Sequence, residues 1–317
     1  MMSVNPAPLM DRHELLSQIW NWLPAFRAVA ETQHLPTASS RLHVTASALS
    51  RTIALIEDRV GQPLFTRSGR NILLNQAGVM LLESVKRAER MVDEGLGSLS
   101  GDPMAGPVYL STLGVFSNHY VLDVLLEMKK AHPHLLPVIS VMRASEANEA
   151  LTRGQLDLSF YYDAIQRDGL DITQIGEATN AVYCGRGHPL FNVKQPTKKQ
   201  ILTYEFAVPR IGDRGLPMDT WPVEIPRKVG LRIEMLWTLL EVCVSGQCIT
   251  VLPDVVAHQH VKSGQLRRLP QIHVPPVSLY GATRDNESAD GRAGRILALV
   301  KANIAETNER LEKANKK

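Results

Sequence analysis

Ser47, Ser50 and Arg51 recur at spacings that set two hydroxyls and one guanidinium on a single helical face, and farther along Arg67, Ser68 and Arg70 crowd a turn. Such groups donate hydrogen bonds to phosphate oxygens and base edges. The chain has no nucleophile elbow, phosphate-cradling glycine loop or metalloprotease motif. The chemistry on offer is recognition of an anionic polymer rather than bond making, and catalysis has no positive support.

The surrounding sequence supplies the elements to hold these groups. Ala38 and Leu42 are four apart and share the inner face of a short helix, with Pro36 and Thr37 in its first turn. His43 and Val44 make a turn, and Val44 is expected to bury its side chain between two helices. Thr45 is a good N-cap, its hydroxyl accepting an orphan backbone N–H. In the helix it starts, Leu49, Ile53 and Ile56 fall on one face, while Ser47, Ser50, Arg51 and Ala54 fall on the other. After Gly61, the segment Leu64 to Leu74 has apolar ends around the basic Arg67-Ser68-Gly69-Arg70-Asn71, a hairpin tip suited to phosphate or the minor groove. Helix, tight turn, helix and basic hairpin make a winged helix-turn-helix, a DNA reader. The candidate contacts are Thr37, Thr45, Ser47, Ser50, Arg51, Arg67, Ser68 and Arg70. The alternative is an ordinary three-helix module whose serines and arginines are merely solvated.

The segment resembles the DNA-binding domain of a LysR-type transcriptional regulator, through Ala38, Arg41-Leu42-His43-Val44, Ala48-Leu49-Ser50-Arg51, Ile53, Glu57, Gly61, Leu64-Phe65, Arg67 and Ala77-Gly78. The resemblance continues in Gly154-Gln155-Leu156-Asp157, Gly187-His188-Pro189-Leu190, and Ser245-Gly246 followed by Leu252-Pro253. Two departures matter. Ala46-Ser47 stands where the family usually has Gln-Pro, and Ala54 where Arg or Lys is common, so at these positions a side chain able to pair with a base in a bidentate manner is missing. The family's base preferences therefore do not carry over.

Composition is consistent with this resemblance. The 317 residues allow two or three domains, and 44% hydrophobic residues suit a soluble globular protein. A net charge of only +3 means that nucleic-acid binding must rest on local arginines rather than bulk charge. Cys184, Cys243 and Cys248 are an odd, sparse set, which argues for a reducing compartment and against a disulfide framework. Early charges at Asp11 and Arg12 and the lack of a long apolar run predict neither signal peptide nor membrane span. Residues 1–14 read as an N-terminal extension and 15–75 as the DNA-binding domain.

Over residues 76–106 the sequence predicts a linker helix and hinge. Leu81, Val85, Ala88 and Val92 form a heptad-like seam that pairs two helices, or else packs on its own DNA-binding domain. Gly95, Gly97, Gly101, Pro103, Gly106 and Pro107 then break the helix. Beyond, strand and helix signals alternate: Val108–Ser111, Asn118–Lys130, Val138–Val141, Glu146–Arg153 and Asp157–Tyr161. A second set runs from Ala181–Cys184 through Glu205–Pro209 and the helix Ile233–Val244 to Ile249–Leu252. Two such halves leave a cleft at the strand ends. The crossings fall near Ile172–Ala178 and Leu269–Pro275, with Val277–Ala282 and a helix from Ala293 returning to the first half.

The resemblance implies an α+β protein: an N-terminal winged helix-turn-helix, a dimerising linker helix, and a C-terminal two-lobed α/β effector-binding domain over 107–317, itself similar to periplasmic binding proteins. Lobe I covers 107–174 and 274–313, and lobe II covers 175–273. It further implies a cytoplasmic regulator, not an enzyme, without cofactor or membrane contact. As a homodimer or homotetramer it would bind paired half-sites in double-stranded DNA and be controlled by a small-molecule effector. The loop Ser111-Thr112-Leu113-Gly114 would face the cleft beside a helix N-terminus, a place suited to an organic anion. Ser145, Pro209 and Arg210 are the other family-type positions, and each could instead be a cap or a surface charge.

Two further constellations are weaker. His258 and His260, with Asp254, lie in a loop-like stretch without a fourth ligand, so no metal is expected. Cys243 and Cys248 straddle a helix end, which leaves a thiol-based redox regulator as an alternative to inert buried thiols. A solute-binding module or enzyme of the same two-lobed architecture is the remaining alternative.

Overall fold

Each helix of the N-terminal region carries one apolar stripe, and the stripes can leave water only by facing one another. A computed structural model, which describes residues 12–68, 71–99, 101–162, 164–211, 218–285 and 287–315, shows how they do so. The chain divides into two units, Met1–Leu96 with Arg153–Gln155, and Gly97–Thr152 with Leu156–Lys317.

The first unit contains α1 (Arg12–Ile19), a 3₁₀ turn (Trp20–Trp22), α2 (Leu23–Thr32), α3 (Leu35–Leu42), α4 (Ala46–Val60), β1 (Phe65–Ser68), β2 (Asn71–Leu74) and α5 (Gln76–Leu99). Its core joins Phe26 and Val29 of α2, Ala38 of α3, and Leu49, Ile53 and Ile56 of α4 to Leu64 and Phe65 beside the hairpin. Phe26 and Phe65 meet edge to face at 5.6 Å. Proline in the first turn starts α3, and His43 ends it in the left-handed region at φ 55°. Thr45 caps α4, its hydroxyl accepting the Ala48 N–H at 3.2 Å, and Gly61 ends that helix at φ 76°.

Val44 corrects an expectation: it is 45% exposed rather than buried between the helices. The left-handed turn at His43 lets the Val44 N–H bond to the Ser39 carbonyl at 3.1 Å, while Ala38, Leu42 and Leu49 fill the space between α3 and α4. A second correction concerns the linker helix. Gly95 and Gly97 do not break α5, which runs on to Leu99, because a glycine within a long helix costs only about 1 kcal/mol.

The second unit holds β3 (Gly106–Thr112), α6 (Gly114–Phe116), a π turn (Ser117–Val121), α7 (Leu122–Ala131), β4 (Leu135–Ser140), α8 (Ala144–Thr152), β5 (Leu158–Tyr161), β6 (Leu170–Ala178), β7 (Asn180–Gly185), α9 (Lys198–Ile201), β8 (Glu205–Val208), β9 (Lys228–Arg232), α10 (Leu236–Val244), β10 (Ile249–Pro253), α11 (Asp254–Lys262), β11 (Leu266–Leu269), β12 (Val277–Arg284) and α12 (Arg292–Asn315). Two five-stranded sheets result, ordered β4-β3-β5-β12-β6 and β11-β7-β10-β8-β9. β3 runs parallel to β4 and β5, and β8 parallel to β9 and β10, so their carboxyl ends share an edge within each sheet. The chain leaves the first sheet after Ala178, crosses at Thr179 into the second, and returns between Leu269 and Val277. His258 and His260 lie within α11 and not in a loop, since Val256 and Ala257 form a buried helical face there. Among the described residues no helix is long and apolar enough to cross a membrane.

Candidate functional site

α4 sorts its residues by face. Leu49, Ile53 and Ile56 are buried, whereas Ser47, Arg51 and Ala54 are exposed and Ser50 is half-buried. Arg51 has no hydrogen-bond or ion-pair partner among the described residues and so can meet an anion. Thr37, exposed at the start of α3, has its hydroxyl 2.8 Å from His34 Nδ1. The hairpin sets Arg67 opposite Ile72 and Ser68 opposite Asn71, and Arg70 lies outside the described residues.

Several residues position these elements; the sequence marked Glu57 and Gly78 only through the family resemblance and gave Glu31 no part. Glu57, on the inner side of α4, accepts the backbone N–H groups of Leu64 and Phe65 at 2.7 and 3.1 Å, fixing the hairpin to the helix. Gly78 lets α5 pack against the hairpin base, since a Cβ there would sit 2.1 Å from the Leu64 carbonyl oxygen. Glu31 gathers Arg27 of its own helix, Arg41 of α3 at 2.9 Å and Lys86 of α5 at 3.3 Å. Burial pushes the Glu31 carboxyl up, but bonding and charge from Arg27, with Arg41 and Lys86, outweigh it and hold its pKa below the usual value. Only Arg27–Glu31, spaced i,i+4, was legible locally; the other contacts arise from folding.

The α5 seam divides. Val85 is 3% exposed inside the first unit's own core, and Leu81 packs against that core. Ala88 is half-buried and Val92 is 48% exposed. Together with Trp20, Leu23, Pro24 and Leu96 they line a groove of about 340 Å³.

In the second unit, Ser111 and Thr112 end β3 as fully buried residues, and Thr112 Oγ1 finds no hydrogen-bond partner among the described residues. Gly114 and Ser145 are exposed, at the start of α6 and in the first turn of α8. Pro209 and Arg210 follow β8 half-buried, and Arg210 Nε lies 3.1 Å from Glu234 Oε1. The sheet edges thus bring these loops to strand ends, but they do not present every hydroxyl, and they leave Arg210 already paired.

The crossing between sheets is tied by a buried carboxylate. Asp254 accepts hydrogen bonds from Thr179 Oγ1 at 2.9 Å and from Tyr183 Oη, and faces Arg268 at 3.4 Å. Thr220, in the left-handed region at φ 53°, accepts from Asn180 Nδ2 at 3.2 Å and donates to the Pro275 carbonyl at 2.5 Å, touching both crossings. Asp254 drew notice in the sequence only for nearby histidines; no local pattern marks a buried carboxylate at a crossing between sheets.

All three cysteines are free and buried. Burial pushes the Cys184 thiol up to about 11 and raises Cys243 and Cys248 as well. No cluster of three metal-binding side chains occurs among the described residues.

Comparison with known proteins agrees with both halves of this geometry. Residues 20–79 match the model of the bacterial regulatory helix-turn-helix protein, lysR family, and residues 101–305 match the LysR substrate binding domain. The chain is 25% identical over 256 residues to the "Uncharacterized HTH-type transcriptional regulator YybE" of Bacillus subtilis, covering 78% of this chain and 87% of that protein. It is 27% identical over 250 residues to the "Probable hydrogen peroxide-inducible genes activator" of Mycobacterium leprae, covering 74% and 78%. The crystal structure of ArgP from Mycobacterium tuberculosis shares the fold with a TM-score of 0.64, at 19% identity over 90% of this chain and 96% of that one. The chain belongs to the LysR family of helix-turn-helix transcriptional regulators, with a LysR substrate-binding domain behind its DNA-binding domain.

Proposed function

We propose that this regulator binds paired half-sites in double-stranded DNA through α4 and its wing, and that a small-molecule effector held between the two α/β lobes controls it in the cytoplasm. The observation that carries the reading is the exposed Arg51, without a partner among the described residues, on a helix whose opposite face is locked into a core. Ser47, Ser50 and Arg51 enter the major groove, with Thr37, Thr45, Arg67, Ser68 and Arg70 toward the backbone or minor groove. The effector meets the loops carrying Gly114, Ser145, Pro209 and Arg210. Ser111 and Thr112 lie behind them, so their part is to shape the loop unless a ligand reaches the Thr112 hydroxyl. An organic anion entering there competes with Glu234 for Arg210. Effector binding changes transcription by favouring one arrangement of the lobes, and Asp254 and Thr220 sit where that arrangement is set.

Assembly follows from the exposed half of α5. Ala88, Val92 and Leu96 beside Trp20 form a groove that accepts the same helix of a second copy, as a homodimer or within a homotetramer. A thiol-based redox regulator has less support, because buried thiols with raised pKa values are poor nucleophiles.

Footprinting on genomic fragments tests the reading: the protein should protect two half-sites spaced by roughly 10 bp or a multiple. Val92→Asp should dissociate the assembly and abolish paired protection while each unit stays folded. Binding without sequence preference would reject the DNA-reading role. An unchanged mass in light scattering for Val92→Asp would reject the α5 interface.

A further inference from the structure

Arg51 rises from a floor of methyl groups. Residues three and four positions away on α4, Ser47, Ala48, Ala54 and Leu55, share its side of the helix. Ala48 and Ala54 are exposed, and Leu55 is 45% exposed. Three neighbouring hydroxyls are engaged locally: Thr45 Oγ1 accepts the Ala48 N–H at 3.2 Å, Ser47 Oγ lies 3.1 Å from Thr45 Oγ1, and Thr52 Oγ1 donates to the Ala48 carbonyl at 3.1 Å. From Thr45 to Ile56 the sequence holds no Asn, Gln, Asp, Glu or Lys. Nothing in that span can pair bidentately with adenine or accept a hydrogen bond from the cytosine amine through a carboxylate. The one forked donor is Arg51, whose match is guanine O6 and N7, and the one base that offers a methyl group to the major groove is thymine.

We infer that this chain reads a half-site in which a guanine is flanked by thymines, with Arg51 on the guanine edge and the thymine C5 methyl groups packed on Ala48, Ala54 and Leu55. The inference rests on the DNA-reading role proposed for α4. Methyl contact separates T·A from A·T without any amide side chain, which explains how a reading helix with a single forked donor retains specificity. Each methyl removed from water changes affinity about fourfold, and loss of the guanine contact changes it about tenfold or more.

The test is selection of the full chain on a randomised duplex library, followed by rebuilding the selected duplex with uracil for each thymine in turn and 7-deazaguanine for the guanine. The expected result is an enriched guanine-and-thymine half-site. Uracil at one or more thymines should weaken binding about fourfold, and 7-deazaguanine about tenfold. Ala54→Gly should erase the thymine-over-uracil preference at one position and leave the guanine effect in place. A selected site that tolerates uracil at every thymine, or that contains no guanine sensitive to 7-deaza replacement, overturns the inference while DNA reading stands. Failure to enrich any sequence overturns the DNA-reading role, and the inference falls with it.

Discussion

The α4 helix and the lobe loops contain the same residue types in opposite circumstances. On α4, Ser47 and Arg51 face solvent, and the guanidinium has no partner among the described residues. At the end of β3, Ser111 and Thr112 are enclosed by the sheet, and Arg210 beyond β8 is paired with Glu234. A lone amphipathic helix declares its faces through its own periodicity. A strand in a covered α/β sheet is buried on both faces, so alternation carries no information about which terminal hydroxyl reaches the cleft. Candidates on the helix can therefore be named individually, whereas those in the lobes emerge only with the tertiary structure.

The contrast extends to stability, and the largest expected effect lies in the second unit. Asp219 is buried and the Arg227 side chain is only 9% exposed; the two are joined at 2.6 Å, with the guanidinium 4.6 Å over the Trp221 ring. Asp219→Ala strands that cation and should cost about 3–5 kcal/mol in denaturant unfolding of the second unit. The folding transition of the first unit should stay in place. If both units lose stability together, the two regions are less independent than this account holds.

A pair of threonine variants sharpens the comparison at smaller amplitude. Thr45→Ala removes the α4 cap and should cost about 1 kcal/mol. Thr112→Val removes a buried hydroxyl that has no partner among the described residues, so stability should hold or rise by up to about 1 kcal/mol. Thermal melts of the two variants check both signs. A clear loss of stability for Thr112→Val would mean that the hydroxyl has a partner, such as a bound water, and an unchanged melt with a lost effector response would make it a ligand contact.

Much of the first unit was legible because its determinants are local. The Thr45 cap, the 49/53/56 stripe and the hairpin pairing of Phe65 with Leu74 all follow from short spacings. Val44 was misjudged because a left-handed turn, not hydrophobicity, decides where its side chain points. In the lobes the alternation of strands and helices was readable, but β9 and β11 were not anticipated, and residues 172–178, expected as a crossing with lobe II starting at 175, are part of β6 and pair with β12 in the first sheet. β9 is an exposed edge strand interrupted by Gly230, and β11 is Leu-Arg-Arg-Leu, whose arginines are useful only once Asp254 and the Leu190 and Phe191 carbonyls stand opposite. The seam was half legible: the heptad spacing located an apolar stripe but could not divide Val85, which serves the intramolecular core, from Val92, which remains uncovered.

The smallest effect is acid sensitivity of the first unit. Glu31 has a folded pKa held below its unfolded value, so its contribution is complete above the ordinary carboxylate range, about pH 4.3, and is lost as pH falls through the lower folded value. Glu31→Gln should flatten that acid limb while leaving the second unit's pH response unchanged. An identical pH profile for both proteins would remove Glu31 from its place at the junction of α2, α3 and α5.

The central claim is that the exposed face of α4 reads DNA, and the most direct measurement is a fluorescence anisotropy titration of the footprinted duplex with wild type and Arg51→Ala at one salt concentration. Loss of a base contact should weaken specific binding by about 1–3 kcal/mol, on the order of tenfold or more, with an unchanged melting temperature and unchanged binding to a scrambled duplex. Equal affinity of the two proteins for the specific duplex would contradict the account.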